Sequence, residues 1–273
     1  MKTSLIIFSI TTLFTLQSLS AAALMVNFRA TGGPTLANLT NSPLHADQAG
    51  FSDTVWNNTG TGDVAADDLL WSDNTTATGV ALNLGAVTDS TSSQVVDLST
   101  NPSTANNLGS QTSTGIYTGD SVGKGGIFNG ISSTPEKGLG LQITGLGAGT
   151  YDIYLSSRNT NSTTPAYPLT YALYAGTSGT AGNFNYSTYD SASITFSGTG
   201  DATSAWVEAG ASEDNYAKFT VTLDTDDVLN IAADGTARGF LNSMQIIAIP
   251  EPSSVVLMIC GGITFLFCRR KMS

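Results

Sequence analysis

A period of two runs through most of the chain. In "TYDIYLSS", which starts at Thr150, residues Tyr151, Ile153 and Leu155 share one side of an extended backbone, and Asp152, Tyr154 and Ser156 share the other. In "YAKFTVTL", from Tyr216, residues Phe219, Val221 and Leu223 oppose Lys218, Thr220 and Thr222. Further alternating or β-branched segments are "LMVNF" at Leu24, "ATGVALNL" at Ala77, "LGLQITGL" at Leu139, "LTYALYAG" at Leu169, "SITFSG" at Ser193, "DVLNIAAD" at Asp227 and "SMQIIAI" at Ser243. Clusters of Gly, Asn, Asp and Ser separate them, which is turn chemistry. No long apolar pattern of period 3.6 intervenes. Many half-buried strands without crossover helices pack as two antiparallel sheets face to face. The expected fold is therefore all-β, a jelly-roll-like antiparallel β-sandwich. Patterning is weaker from Asp97 to Ser132, which predicts long loops and a short helical turn near Gly125 to Ile131.

Composition narrows the class. The net charge is -11, and 11% of the 273 residues are charged. Lys2, Arg269, Arg270 and Lys271 sit at the two ends, so the segment between them is more acidic than the total. Such a body has no means of neutralising phosphates, which excludes nucleic acid as a partner. Acidity of this kind keeps a surface soluble outside the cell. Both cysteines, Cys260 and Cys268, fall in the last apolar run, so the body must be held by its core without a disulfide.

The N-terminus has three parts: Lys2, an apolar stretch from Leu5 to Leu16, and the small residues Ser20, Ala21, Ala22 and Ala23. That order defines a secretory signal peptide, with cleavage expected after Ala22 or Ala23. The chain then divides into a leader over 1–23, a sandwich over 24–248 and a tail over 249–273.

Catalytic chemistry has little to stand on. His45 is the single histidine, and no G-x-S-x-G elbow accompanies it. No His/Cys cluster has zinc spacing. The carboxylate pairs Asp67–Asp68, Glu213–Asp214 and Asp226–Asp227 are sequence neighbours in turn-like contexts, where alternate side chains point apart, although a glycosidase needs only two carboxylates. The chain is read as a non-enzyme with no catalytic residues and no cofactor. Asp224, Asp226, Asp227 and Asp234 flank one strand; they either offer oxygen ligands to a structural Ca²⁺ or are ordinary Asp-rich turns. Trp56, Trp71, Trp206, Tyr167 and Tyr186 lie in turn-like sequence, as stacking platforms for sugars or as core.

The tail reads "IPEPSSVVLMICGGITFLFCRRKMS". From Ser253 to Cys268 it is apolar or small for about sixteen residues, near the short end of what spans a bilayer, so a single C-terminal transmembrane helix is expected. Arg269, Arg270 and Lys271 supply a positive-inside stop-transfer cluster. Pro250 and Pro252 fix two φ angles around Glu251, which separates the last strand from the span and leaves a stiff peptide.

Pro-Glu-Pro, a short span with a Gly pair (Gly261, Gly262) and Arg-Arg-Lys, in that order over Ile249 to Lys271, resembles a PEP-CTERM sorting signal. That resemblance implies recognition of Pro250, Glu251 and Pro252 by a membrane-embedded exosortase. It also implies delivery from a membrane-anchored precursor to the surface or biofilm matrix of a Gram-negative bacterium that makes exopolysaccharide. The body more loosely resembles galactose-binding-like sandwich domains, through "ITGLGAGTYDIYL" and its Gly-rich turn. The expected function is that of an exported surface or matrix protein with the membrane and an exosortase as partners. A carbohydrate-binding module acting on polysaccharide is the alternative, and a hydrolase a third.

Overall fold

The computed structural model describes residues 21–31, 39–87, 94–107, 115–117, 120–129, 138–158, 169–196, 205–210, 214–235 and 239–250. Most of the leader, Glu251, Pro252, the expected span and the stop-transfer cluster Arg269, Arg270 and Lys271 lie outside them. Among the described residues no helix is long and apolar enough to cross a membrane.

In chain order the elements are β1 (Ala23–Phe28), α1 (Pro43–Asp47), β2 (Asn57–Thr59), β3 (Ala81–Ala86), β4 (Val95–Val96), β5 (Thr104–Asn107), a 3-10 turn (Gly115–Tyr117), β6 (Gly125–Asn129), β7 (Leu139–Thr144), β8 (Gly149–Ser156), β9 (Leu169–Ser178), β10 (Phe184–Asn185), β11 (Asp190–Phe196), β12 (Tyr216–Leu223), β13 (Val228–Gly235), β14 (Gly239–Leu241) and β15 (Ser243–Ala248). One sheet runs β12-β8-β15-β1-β2, and the other β11-β9-β13-β7-β3. All their pairings are antiparallel except β1 with β2.

The two sheets close over one apolar core. Leu24, Val26, Phe28, Ile153, Leu155, Phe219 and Ile246 come from the first sheet, and Leu82, Leu84, Leu141, Ile143, Leu173, Leu229 and Ile231 from the second. This is the expected antiparallel β-sandwich. Each fully buried Leu or Ile contributes about 1.5–3 kcal/mol from removal of its apolar surface from water. The alternation in β12 sorts as anticipated: Phe219, Val221 and Leu223 are buried, while Thr220 and Thr222 are exposed.

The outer faces depart from a simple half-buried pattern. In β8 not only Tyr151, Ile153 and Leu155 but also Asp152, Tyr154 and Ser156 are buried. The cause is a second layer: Leu44 of α1, Phe51 and Trp56 pack with Ala23, Met25, Tyr154, Tyr216 and Ile247 on the outside of the first sheet. Gln245 anchors this cover. Its Oε1 accepts from the Leu44 N–H at 3.1 Å, and its Nε2 donates to Ser42 Oγ at 2.8 Å.

The outside of the second sheet has its own cover, made by the two-stranded β10–β4 ribbon. Val96, Phe184 and Tyr186 pack there with Val87 and Ala232. Directly paired glycines make the close approach feasible, because Gly85 faces Gly140 across β3 and β7. A Cβ on Gly140 would lie 2.6 Å from Val96 Cγ2 and 2.9 Å from the Ile231 carbonyl oxygen. Beneath the same cover Gln142 donates to Asn230 Oδ1 at 2.6 Å, and Asn230 donates to Ser178 Oγ and Tyr189 Oη.

The helical turn expected near Gly125 to Ile131 is corrected by the structure. Gly125–Asn129 is a strand, β6, held between β14 and β5 in a three-stranded sheet. Tertiary pairing overrides the weak local pattern. A Cβ on Gly125 would meet the Phe28 carbonyl oxygen at 2.5 Å, so this glycine lets β6 lie against the end of β1.

Gly140→Ala is expected to lower stability by about 1–3 kcal/mol, the usual range for an extra carbon forced into a packed site. Val96→Ala should recover part of that loss in the double variant, because it removes the nearest of the three obstructing partners, the others being the Ile231 carbonyl and the Phe184 ring. Urea unfolding of the four chains in the cycle measures both effects.

Candidate functional site at the paired terminal strands

The first and last strands of the described body are neighbours. β1 pairs antiparallel with β15 in the register Ala23↔Ile247, Leu24↔Ile246 and Met25↔Gln245. The start of β1 therefore lies beside the end of β15, and both ends leave the sandwich at one pole. The adjoining strands fix that pole: Ala248 pairs with Tyr151 at the start of β8, and Leu223 at the end of β12 pairs with Gly149. Among the described residues the sheet's last hold on the outgoing chain is the Ile249 N–H, which donates to the Thr150 carbonyl at 2.8 Å. Ile249 is 38% exposed, and it is the one large exposed apolar side chain among the described residues. Pro250 is exposed and belongs to no strand. The folded body thus gives way to the Pro-Glu-Pro within a single residue.

The anticipated calcium ligands do not converge. Asp224, Asp226 and Asp227 form the turn between β12 and β13, at the pole of the terminal strands. Asp227 uses its carboxylate to accept from the Asp224 N–H at 3.0 Å, and Asp226 takes φ +72, a left-handed conformation that Asp tolerates in turns. Asp234 lies seven residues along β13 from Asp227, about 23 Å at strand rise. It accepts instead from Tyr186 Oη at 3.5 Å. Among the described residues no group of three or more His, Cys, Asp or Glu side chains is placed to hold a metal ion. The four carboxylates therefore form no single site.

Two of the aromatic platform candidates are core. Trp56 is 6% exposed and donates through Nε1 to the Leu39 carbonyl, and Tyr186 is 1% exposed. Trp71 packs, partly buried, against the main core. Trp206 is half-buried; its Nε1 donates to Asn41 Oδ1 at 2.9 Å, and its ring stands edge-on to Tyr117 at 5.9 Å. Arg158 lies over the other ring of that pair, 3.9 Å from the Tyr117 centroid. Tyr167 lies outside the described residues. The carboxylate pairs serve turns: Asp67 accepts from the Gly79 N–H and Asp214 from the Gly210 N–H.

One ionic network was not legible in the sequence. Lys218 of β12 bridges Asp47 at 2.9 Å and Asp152 at 3.1 Å. Tyr154 donates to the same Asp47 carboxylate at 2.6 Å, and Thr220 donates to Asp152 at 2.7 Å. The hydrogen bonds from Lys218 and then Tyr154 hold the Asp47 carboxyl below its ordinary range. Burial works against the Lys218 charge, but its bonds to Asp47, Asp152 and Tyr154 outweigh that and raise its pKa. The network straps the C-terminal end of α1 to the sheet.

His45 is structural. Its Nδ1 lies 2.6 Å from Ser42 Oγ and its Nε2 2.9 Å from the Asp53 carbonyl oxygen. A carbonyl can only accept, so Nε2 carries the proton and the Ser42 hydroxyl donates to Nδ1. Ser42 Oγ also accepts from Gln245, so the neutral ring closes the chain of bonds that fixes the cover to the sheet. Desolvation lowers the His45 pKa from its ordinary value, while the Asp53 carbonyl bond and the Asp53 charge oppose it less strongly.

No family model matches the chain, and no curated protein matches it. Solved structures give slight likenesses. One is TmCBM61 in complex with β-1,4-galactotriose, with TM-score 0.28, 10% identity, and coverage of 62% of this chain and 88% of that one. Another is BtGH115A, a family GH115 4-O-methyl-α-glucuronidase with specificity for decorated arabinogalactans, with TM-score 0.28 and 8% identity. The match covers 55% of this chain and spans 18% of the glucuronidase. Scores this low carry no argument about function.

A His whose folded pKa is depressed favours the unfolded state on protonation, so stability is full above the unfolded pKa near 6.5 and falls as pH drops below it. Urea midpoints are expected to decline between pH 7 and pH 5, and His45→Gln should flatten that slope at some cost in stability at pH 7. An unchanged slope in the variant would assign the acid sensitivity to other groups.

Proposed function

We propose that the chain is a non-enzymatic, exported surface or matrix protein, carried through the membrane by its leader, held by its C-terminal span and sorted at the Pro-Glu-Pro by an exosortase. The observation that carries this reading is the position of the motif: among the described residues Ile249 makes the last sheet hydrogen bond, and Pro250 follows it. Pro250 is exposed and outside any strand, and by sequence the motif is stiffened by two prolines and comes directly before a bilayer-length apolar run. The start of β1 lies beside the end of β15, so the residues that follow the leader and those that precede the motif share one pole of the body.

Replacement of Pro250, Glu251 and Pro252 by Ala tests this. Export and membrane insertion should persist, because they depend on the apolar segments and on Arg269, Arg270 and Lys271. Trimming of the C-terminus and arrival at the surface should be lost, as read by cell fractionation and the mass of the mature chain in a Gram-negative host with an exosortase. Trimming and surface display equal to the parent's would reduce the motif to a linker.

Polysaccharide binding is the second reading, and Trp206 favours it. This half-buried indole stands on Tyr117 beside Asn41, an aromatic face with a polar neighbour of the kind that stacks on sugar rings. A glycan array probed with the exported protein should give binding that Trp206→Ala lowers by tenfold or more, about 1.4 kcal/mol. Binding indifferent to that substitution would place the sugar elsewhere, and an array without signal would remove this reading while leaving the sorting proposal intact.

A further inference from the structure

Resting on the export reading, we infer that the leader is removed at the Ala22–Ala23 bond and that Ser72 and Asp53 form a receptor for the α-amino group so released. The sequence permits two bonds, because the small residues Ser20 and Ala22 precede one as Ala21 and Ala23 precede the other. The fold distinguishes them.

Ala23 is fully buried, and its N–H donates to Ser72 Oγ at 2.8 Å. The Ser72 hydroxyl in turn donates to Asp53 Oδ2 at 2.7 Å. The Ser72 N–H donates back to the Ala23 carbonyl at 2.8 Å, and Ala23 pairs with Ile247 of β15. Cleavage after Ala23 would strip the Ser72 N–H of its acceptor, Ser72 Oγ of its donor and β15 of a partner, with Ser72 itself 2% exposed. Cleavage after Ala22 keeps all three. It also places the new charge one hydroxyl away from a carboxylate, where an ammonium has an acceptor and a counter-charge.

Ala21 and Ala22 are only half-buried, so the nitrogen of Ala23 lies just beneath the surface once they are gone. A fully buried Ala23 also means that the cut precedes closure of the sheet, since a folded body would hide the bond. In the step itself, the Ala22–Ala23 amide bond breaks under a leader peptidase. Water supplies hydroxide to the Ala22 carbonyl carbon and a proton to the Ala23 nitrogen; the carboxylic acid so formed then releases its proton and the amine takes one up, leaving a carboxylate on the leader and an α-ammonium on the body with no net change in protons.

The test is made on the full chain expressed and exported in a Gram-negative host. Mass spectrometry of the mature N-terminus should find Ala23 first. On the native exported protein, reductive methylation of the α-amine near neutral pH should run about tenfold slower than on the urea-unfolded chain, the effect of a pKa raised by about one unit beside a carboxylate. Asp53→Asn keeps an acceptor for Ser72 but removes the charge, and should restore most of the reactivity. An exported chain starting at Leu24, Ala22 or elsewhere, or an Ala23 amine methylated at the unfolded rate, overturns the inference and leaves export standing. A chain that keeps Met1 and stays in the cytoplasm overturns the export reading itself.

Discussion

The structure depends on the pairing of its first strand with its last. β1 occupies the slot between β15 and β2, and β15 the slot between β8 and β1. Neither is an edge strand, so the first sheet stays divided until the end of the chain has arrived. The contact joins residues as far apart as Ala23 and Ile247, and the loop entropy of that closure must be met before the core beneath can form. The first sheet is therefore complete only once its last strand has joined. That pairing brings Ala23 beside Ile247, so the two ends of the described body meet at one pole.

The outer layers extend that dependence. Gln245 lies in β15, and its amide holds Ser42 and the Leu44 N–H, so the cover on the first sheet is tethered to the last strand. A buried amide without partners would be costly, which makes this a one-geometry arrangement. His45, through Ser42, belongs to the same chain of bonds. On the other sheet Gln142 and Asn230 play a comparable part under the β10–β4 ribbon, with the glycine pair Gly85 and Gly140 setting the approach distance. A body without cysteines gains its specificity from satisfied buried amides and from packing.

The strands of the core were legible because one face of each is apolar, as in β12, where alternation and burial agree from Phe219 to Leu223. What lies outside the sheets was not. Tyr154 and Asp152 look solvent-facing by period, yet α1 and its flanking segment cover them, and nothing in the spacing of "SPLHA" announces that role. β6 was misread because Gly125 and Gly126 carry no periodic signal; their reason is the nearness of Phe28 and Phe240, a tertiary fact. The Asp-rich turns left a metal and ordinary turn chemistry both open because sequence proximity hides the length of a strand, which separates Asp227 from Asp234. The end of the last strand, by contrast, was readable from Pro250, since proline ends a strand by its own chemistry.

Hydrogen exchange of the full chain in lipid or detergent tests the central claim, that the two terminal strands close together and stop directly before the motif. The account predicts equal, high protection for the amides of β1 and β15, protection at Ile249, and fast exchange at Glu251, the only amide proton within Pro-Glu-Pro. Protection of Glu251 comparable to that of the strands, or a β1 that exchanges independently of β15, would contradict it.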